Sequence, residues 1–392
     1  VGAGTSTITA SQAGDDNYNI ATATQILTVT DLITTEVTVT ANINSNVNIE
    51  GPGSLTVNNA NITGNVNIAS GGKLTLNGTG KTITGNVTIT DGGSLIATDG
   101  AISGTVTYKR NIPTTNWYLI SSPVTEQDID TFVTASGLAI SGTNVGFSNY
   151  ENTTGAWSYY QNGTSNTGKF VSGQGHSVKL NEVVGKHVSF LGGFNNADAS
   201  VAVSSGTANG FNLIGNPYLA SVSVIEMLNA NDAVLSEKTV WLWDQSANAY
   251  VQKNLAANLE IAPGQGFFIL AKAAGNFKIT EAMQSHATNT FQRGVSRPEI
   301  ELSASNGTIS KKADIFYIDG TTKGFDNGYD SSIFEGLPSD FEVYTRAVAN
   351  GNGRNLGIQT LPNAALESMV IPLGLNAVAG STLAFSAKSA NL

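Results

Sequence analysis

The chain has 392 residues, and its 19 Lys and Arg against 29 Asp and Glu give a formal net charge of −10. So few cations in an acidic chain argue against a nucleic-acid partner, which needs clustered Lys and Arg. The absence of Cys excludes disulfides, thiolate catalysis and Cys-based metal sites, and no apolar run is long enough to predict a membrane span. Abundant Thr, Ser and Asn with 43 Gly predict an extracellular, β-rich structural protein.

Residues 1–30 contain two alternating β segments, at 7–10 and 25–29, with Gly14-Asp15-Asp16-Asn17-Tyr18 as the turn between them. The segment ITASQAGDDNYNIATATQILTV resembles the closing strands of bacterial Ig-like surface repeats. This resemblance implies an Ig-like strand remnant. Because the chain starts at Val1 without an initiator Met and stops just after a strand-like run at 382–385, we expect both ends to be cuts within a longer protein.

Residues 31–110 carry an internal repeat with a spacing of 19 to 21 residues. One strand recurs at 53–57, 72–76 and 93–97, and a second recurs at 46–49, 65–68, 86–89 and 105–108. Strands that return every ~20 residues with Gly corners predict a parallel β-helix of about four turns. The β-helix prediction requires that Val47, Val66, Val87 and Val106 form an aligned interior column. A polysaccharide-processing groove or an ice-binding face is the alternative to a spacer, but no flat Thr array or recurring carboxylate cluster supports it.

Residues 111–290 are predicted to be a duplicated β-sandwich module, with copies at about 111–205 and 206–290. Three anchors recur at offsets of 91 to 94 residues. They are the Pro-closed strand (117–124 and 211–218), the aromatic hairpin (150–157 and 243–250) and the Gly-Gln-Gly entry to a buried strand (173–175 and 264–266). We expect two similar half-sandwiches, with short helical turns near 126–133 and 224–229.

The phrases FNLIGNPYLASVSV, IAPGQGFFILAKAAGNFKITEAM and GFDNGYDSS resemble the region that precedes the C-terminal sorting domain in secreted surface proteins of Bacteroidetes. Those proteins leave the cell by the type IX secretion system, and the resemblance covers roughly residues 111–392. It implies export and attachment to, or release from, the cell surface. It implies no single activity, because the family includes enzymes, adhesins and filament-like proteins.

Residues 291–392 are predicted to form a C-terminal β-sandwich, truncated by the end of the chain, after a linker at Arg297-Pro298. Its predicted strands lie at 299–302, 313–318, 342–346, 356–359, 369–372 and 382–385. The complete fold prediction is therefore all-β: an Ig-like remnant, a short parallel β-helix and β-sandwich modules in series.

No motif predicts a catalytic, cofactor or metal site. The three His, at 176, 187 and 286, lack metal-ligand spacing, and His176 aligns with Phe267 of the second copy, which favours a packing role. Asp128 and Asp130 are the nearest pair of carboxylates for glycoside hydrolysis, in a polar segment expected to be exposed. The loop Asp326-Asn327-Gly328-Tyr329-Asp330 is a candidate calcium loop, with Asx turns as the alternative.

The densest aromatic groups are the set Trp157, Tyr159, Tyr160, Trp241 and Trp243. They predict either a sugar-stacking surface or cross-strand packing, and the matching aromatics of the two copies favour packing. Solvent exposure of Trp157 and Trp243 in one line would favour the sugar surface.

Together these observations predict a non-catalytic exported surface protein, an adhesin, stalk or filament component. The alternative is the glycan-binding accessory region of a secreted polysaccharide-active protein. The expected partners are the secretion machinery and other surface proteins or glycans, without nucleic acid, and self-assembly is left open.

Overall fold

The structure, a computed structural model, describes residues 4–14, 21–29, 31–165, 167–182, 187–287, 297–350, 353–364 and 369–391. The predicted all-β class is confirmed, since strands account for 48% of the chain and helices for 6%. Residues 15–18 of the predicted Ig-like turn lie outside the described residues. The chain divides into two compact units, each described by itself below. The first contains the described residues up to Arg110 with Val124–Gln127 and Ser189–Asn196, and the second contains the rest.

The first unit begins with an antiparallel hairpin and continues as a solenoid of short strands. Its strands are β1 (Gly4–Gln12), β2 (Ala21–Val29), β3 (Asp31–Ile33), β4 (Glu36–Val39), β5 (Val47–Ile49), β6 (Ser54–Asn58), β7 (Val66–Ile68), β8 (Lys73–Asn77), β9 (Thr82–Ile83), β10 (Val87–Thr90), β11 (Ser94–Ile96), β12 (Ala101–Ile102) and β13 (Val106–Asn111).

The predicted parallel β-helix of about four turns is confirmed. Strands β3, β5, β7, β10 and β13 form one parallel ladder, and β4, β6, β8 and β11 form a second. The ladder register pairs Val47 with Val66, Val66 with Val87 and Val87 with Val106, and all four side chains are completely buried. The predicted interior column is therefore present, and alternation places the intervening polar residues outside.

Asparagines and glycines hold the solenoid corners that precede this column. The side-chain oxygens of Asn46, Asn65 and Asn86 each accept the backbone N–H of the equivalent residue one turn later, at 2.9 Å. A Cβ on Gly85 would lie 2.2 Å from the carbonyl oxygen of Gly64, so the turns stack too closely for a side chain. The Gly-Asn pairs that precede Val66 and Val87 are thus a structural requirement of the stack.

The second unit begins with the duplicated region, which contains most of the remaining strands and both α-helices. The elements of residues 111–290 are β14 (Tyr118–Ser121), β15 (Val124–Thr125), α1 (Ile129–Ala135), β16 (Ile140–Ser141), β17 (Asn144–Glu151), β18 (Ala156–Gln161), β19 (Gly175–Val178), β20 (His187–Phe194), β21 (Ala199–Val203), β22 (Phe211–Gly215), β23 (Ser221–Ser223), α2 (Val224–Ala230), β24 (Thr239–Asp244), β25 (Ala249–Asn254), β26 (Glu260–Ile261), β27 (Gly266–Leu270), β28 (Gly275–Ile279) and β29 (Gln284–Ser285). Of these, β15 and most of β20 belong to the first unit. Short 3₁₀ turns occur at Leu255–Ala257 and Glu281–Met283.

Two short segments of later sequence extend the solenoid. The strand β13 is followed in its sheet by β20 and then by β15, which pairs antiparallel with β20. The side-chain amide of Asn196 also donates to the carbonyl oxygen of Gly100 at 3.3 Å. These strands cover the edge that β13 would otherwise leave open.

Both predicted helical turns are present. The helix α2 begins after Ser223, whose side chain accepts the N–H of Glu226. The helix α1 begins three residues later than predicted, because Asp128 is its N-cap and Glu126 has a φ of +65° that no helix tolerates.

The C-terminal strands form one mixed sheet. They are β30 (Glu299–Ser305), β31 (Ser310–Tyr317), β32 (Ser331–Ser332), β33 (Glu342–Thr345), β34 (Leu356–Leu361), β35 (Leu373–Asn376) and β36 (Ala384–Ala390). The order is β35-β33-β34-β31-β30-β36, with β31 and β34 parallel and β32 paired with β34.

The predicted strand at 369–372 was wrong. The strand β35 begins one residue later than that range ends, because Pro372 has no N–H to donate to a ladder. Its carbonyl oxygen accepts the N–H of Arg346 at 2.9 Å, and the regular pairing with β33 follows from there.

Candidate functional site

The two copies of the duplicated module build equivalent sheets. In the first copy β14 pairs with β19, β19 with β17 and β17 with β18. In the second, β22 pairs with β27, β27 with β24 and β24 with β25. The aromatic hairpins also match, since Tyr150 lies opposite Trp157 and Trp243 lies opposite Tyr250.

The copies contact each other reciprocally through their Gly-Gln-Gly segments. The N–H of Ser121 donates to the carbonyl oxygen of Gly264 at 3.1 Å, and the N–H of Gly215 donates to that of Gly173 at 2.9 Å. Ser121 and Gly215 are equivalent positions, as are Gly173 and Gly264. The exchange of equivalent bonds shows that the copies are related by a local two-fold arrangement.

The second glycine of each Gly-Gln-Gly segment is required by the closeness of this contact. A Cβ on Gly175 would lie 2.7 Å from the carbonyl oxygen of Ile214, and one on Gly266 would lie 2.9 Å from that of Ile120. Real Cβ atoms do not approach backbone atoms so closely, so the motif marks the surface where the copies meet.

An apolar cleft of about 150 Å³ lies where the two aromatic hairpins come together, and we name it the aromatic cleft. Its lining residues are Trp117, Leu119, Trp157, Tyr159, Ser177, Trp243, Tyr250 and Leu337. The three Trp and two Tyr side chains are neither fully buried nor fully exposed. The rings are inclined to each other: Trp117 and Tyr159 meet at 54°, and Trp243 and Tyr250 meet at 67°.

A second, polar pocket of about 390 Å³ shares Leu337 with the aromatic cleft. We name it the polar pocket, and its polar lining side chains are Thr154, Asn209, Glu335, Ser339, Glu342 and Asn376. Tyr150 contacts one lining residue of each pocket. Its ring centre lies 5.5 Å from that of Trp157, and its hydroxyl accepts a hydrogen bond from the side-chain amide of Asn209 at 2.8 Å.

Ionisable groups around the two pockets are mostly acidic. Glu335 is exposed, while Glu342 pairs with Lys311 at 2.9 Å. Lys179 lies beside the cleft, with its Nζ 5.9 Å from the centre of a Trp117 ring. Burial raises the pKa of Tyr150 and of Tyr250 above their usual values, so both phenols are neutral hydrogen-bonding groups.

The structure divides the five predicted aromatics. Trp157, Tyr159 and Trp243 line the aromatic cleft and are partly exposed, whereas the sugar-surface interpretation asks for full exposure of Trp157 and Trp243 in one line. Trp241 is completely buried and donates its indole N–H to the carbonyl oxygen of Ser332 at 3.0 Å, which fits the packing interpretation. Tyr160 donates its hydroxyl to Asp130 at 2.8 Å and does not line the cleft.

Five lining residues of the cleft lie outside the predicted aromatic set: Trp117, Leu119, Ser177, Tyr250 and Leu337. Trp117 and Tyr250 each stand in a repeated anchor, and an aromatic repeated near such an anchor was the available signal. Leu337 comes from the loop before β33, and no feature of the sequence connects this loop with the duplicated module.

The structure does not bring the three His together. His176 is buried, with Nδ1 2.7 Å from the side-chain oxygen of Asn149 and its ring stacked on Phe147 at 4.9 Å, in keeping with a packing role. His187 is exposed on β20, and His286 follows β29. In the described ranges no three His, Asp or Glu side chains are grouped as metal ligands.

Asp128 and Asp130 both serve α1 and its surroundings. Asp128 caps the helix by accepting the N–H of Thr131 at 2.8 Å, and Asp130 accepts the hydroxyl of Tyr160. Their carboxylates are therefore engaged in local hydrogen bonds.

Hydrogen bonds from backbone N–H groups to aspartate side chains hold the candidate calcium loop together. Asp326 accepts the N–H of Thr322 at 2.6 Å, and Asp330 accepts the N–H groups of Asp326 and Thr360. Burial raises the pKa of Asp330 to about 7. The loop uses its two carboxylates as acceptors for backbone N–H groups, which is a structural role for these side chains.

Residues 15–255 match the model of a family described as Domain of unknown function (DUF8693). The match covers more than half of the chain, so the chain belongs to this family. No curated protein and no solved structure matches the chain. In the part of the chain that the structure describes, no helix is both long and apolar enough to cross a membrane.

Proposed function

We propose that this chain is a non-catalytic, exported surface protein, an adhesin, stalk or filament component built from serial β modules. The observation that carries the proposal is the solenoid, whose interior column repeats in register from Val47 to Val106. Such a stack shares core and ladder hydrogen bonds between all its turns, which is the construction of a stiff spacer rather than of a reactive cavity.

Export by a type IX system and an extracellular or outer-surface location belong to this proposal. The surface composition supports them, because Asn and Thr rather than charged residues solvate the solenoid. The expected partners are the secretion machinery and other surface proteins or glycans.

Surface exposure is tested on intact cells of the source organism with antibodies raised against the purified chain. Labelling of intact cells that external protease removes supports the proposal, and labelling only after lysis overturns it. In parallel, the purified chain is incubated with a panel of polysaccharides and reducing ends are counted, and hydrolysis overturns the non-catalytic assignment.

A glycan-binding accessory region is a second candidate function. The observation that favours it is that Trp157 and Trp243, from the two copies, line the same half-open cleft. Apolar pockets with a few polar groups beside them are typical of small-ligand sites, and partly exposed aromatic rings stack on the C–H faces of sugars.

A further inference from the structure

Leu337 lines both the aromatic cleft and the polar pocket, and the chemistry of the two pockets limits which ligand can occupy both at once. We propose that the two pockets form one site for a single soluble chain of a neutral polysaccharide, with one sugar ring in the aromatic cleft and the adjoining sugars in the polar pocket. This inference rests on the glycan-binding candidate and specifies its ligand class.

The size of the aromatic cleft limits it to one ring. Its volume is about 150 Å³. An apolar cavity of roughly this volume holds one benzene-sized ring. The polar pocket has about 390 Å³ and shares Leu337 with the cleft, so the next sugars of the same chain have room there.

The inclination of the rings favours a separate chain over a crystalline surface. A flat crystal face needs a row of coplanar rings, but Trp117 and Tyr159 meet at 54°, and Trp243 and Tyr250 at 67°. Rings inclined in this way do not form one flat face, so the cleft suits a single chain better than a crystal surface.

The charges of the polar pocket favour a neutral chain. Asn209, Asn376 and Ser339 offer uncharged donors and acceptors for hydroxyl groups, while the ionisable lining residues are Glu335 and Glu342. Glu342 is paired with Lys311, so Glu335 is the lining group that would repel a uronic acid or a sulfated sugar, and the chain's net charge of −10 adds long-range repulsion.

The ligand class is tested by native affinity electrophoresis of the whole chain in gels that contain a soluble neutral polysaccharide (a mixed-linkage glucan, a galactomannan or a xylan) or an acidic one (alginate or polygalacturonate). Retardation by at least one neutral polymer, without retention on crystalline cellulose or chitin, is the expected result. Retardation by acidic polymers alone, or retention on crystals alone, overturns the ligand class but leaves glycan binding in place. No retardation or retention by any polymer overturns glycan binding itself.

Two variants locate the site. We expect Trp157→Ala to weaken binding roughly tenfold or more, since it removes a stacking ring. Asn376→Ala, at an exposed position of the polar pocket, should weaken binding by a smaller factor. The control is Phe385→Ala, which removes a ring that is 56% exposed on β36, outside both pockets. Equal affinity of all three variants and the unmodified chain overturns the assignment of the site.

A measurement on the unmodified chain covers the case in which Trp157→Ala does not fold. Trp241 is completely buried, so acrylamide quenching of fluorescence reports mainly on the three Trp of the cleft. A neutral oligosaccharide should reduce this quenching. Protection by tetramethylammonium but by no sugar would show that the cleft binds a cation through its rings instead, and would overturn the proposal.

Discussion

The solenoid and the duplicated module both repeat a β unit, but they join their copies in different ways. In the solenoid each turn is translated onto the last, so Val66 and Val87 each lie between two Val residues of neighbouring turns. In the duplicated module the copies face each other and exchange equivalent bonds, such as that from Ser121 to Gly264 and that from Gly215 to Gly173.

Because of this difference, we expect the solenoid to act as a spacer and the duplicated module to contain a binding site. A translated stack presents the same surface at every turn, so none of its turns differs enough to bind one ligand selectively. A two-fold pair has one central junction, and there the hairpins that carry Trp157 and Trp243 converge on a single cleft. The duplicated module is thus the part of the chain in which a binding function is expected.

The stability of the solenoid should be most sensitive to substitution of its corner glycines. We expect Gly85→Ala to lower the free energy of unfolding by about 3–5 kcal/mol, because its Cβ would lie 2.2 Å from the carbonyl oxygen of Gly64. Urea unfolding followed by circular dichroism measures the change. The control is Gly80→Ala. Its added Cβ would have no atom within 4 Å, but the φ of +70° should lower the free energy of unfolding by about 1–2 kcal/mol. Equal midpoints of the two variants would contradict tight stacking.

The two-fold junction should respond equally at its two equivalent glycines. We expect Gly175→Ala and Gly266→Ala each to lower the free energy of unfolding by about 2–3 kcal/mol, because each new Cβ meets a carbonyl oxygen of the other copy within 3 Å. Thermal unfolding measures both variants against Gly142→Ala, where the added Cβ meets nothing within 4 Å and the φ of +62° alone should cost about 1–2 kcal/mol. A large loss in only one member of the pair would break the equivalence of the copies.

The buried imidazole that distinguishes the two copies should make stability depend on pH. Burial lowers the pKa of His176 to about 3, whereas an unfolded chain has a His pKa near 6.5, so the unfolded state takes up the proton first as the pH falls. The His176 contribution to the free energy of unfolding should therefore decrease from about pH 6.5 downwards, by about 2 kcal/mol at pH 5. The raised pKa of Asp330 acts in the opposite direction over this range, so the His176 contribution is the difference between the unmodified chain and His176→Phe. Melting temperatures between pH 4 and 8 measure this slope.

His176→Phe gives the first copy the residue found at Phe267 in the second. This variant should lack the His176 contribution to the pH dependence of the melting temperature. The exposed His187 provides the comparison, since His187→Gln should retain the slope of the unmodified chain. An acid slope unchanged by His176→Phe would show that other groups cause it.

The smallest effect is expected at the asparagines of the solenoid corners. Asn65→Ala removes the acceptor for the N–H of Asn86 and should cost about 1 kcal/mol. Asn67→Ala breaks only an exposed bond between two side chains, from Asn67 to Asn48, and should cost less. Urea midpoints distinguish the two, and the reverse order would show that the corner bonds are not what aligns the turns.

The solenoid was the easier region to predict, because its period reports its register directly. The nearly constant spacing of Val47, Val66, Val87 and Val106, at 19 to 21 residues, leaves one register that buries all four, and a slip by one residue would expose them. The role of Asn65 and its equivalents was not predicted, although the repeated Gly-Asn was present in the sequence. The same holds for the meeting of the two Gly-Gln-Gly segments.

The C-terminal sheet was harder, since no repeat relates its strands. The parallel pairing of β31 with β34 joins strands separated by about 40 residues, and the sequence contains no signal for it. Pro372 was a readable sign that the strand at 369–372 was wrong, because proline begins or ends a ladder more readily than it continues one.

The sequence by itself determined the all-β class, the four-turn solenoid and the duplication, because each depends on spacing and alternation within neighbouring residues. Tertiary structure alone decided that Trp241 is buried while Trp243, two residues away, lines a cleft, and that Leu337 completes this cleft from a distant loop. Exposure of a side chain depends on which remote segments pack over it, and no local pattern records those contacts.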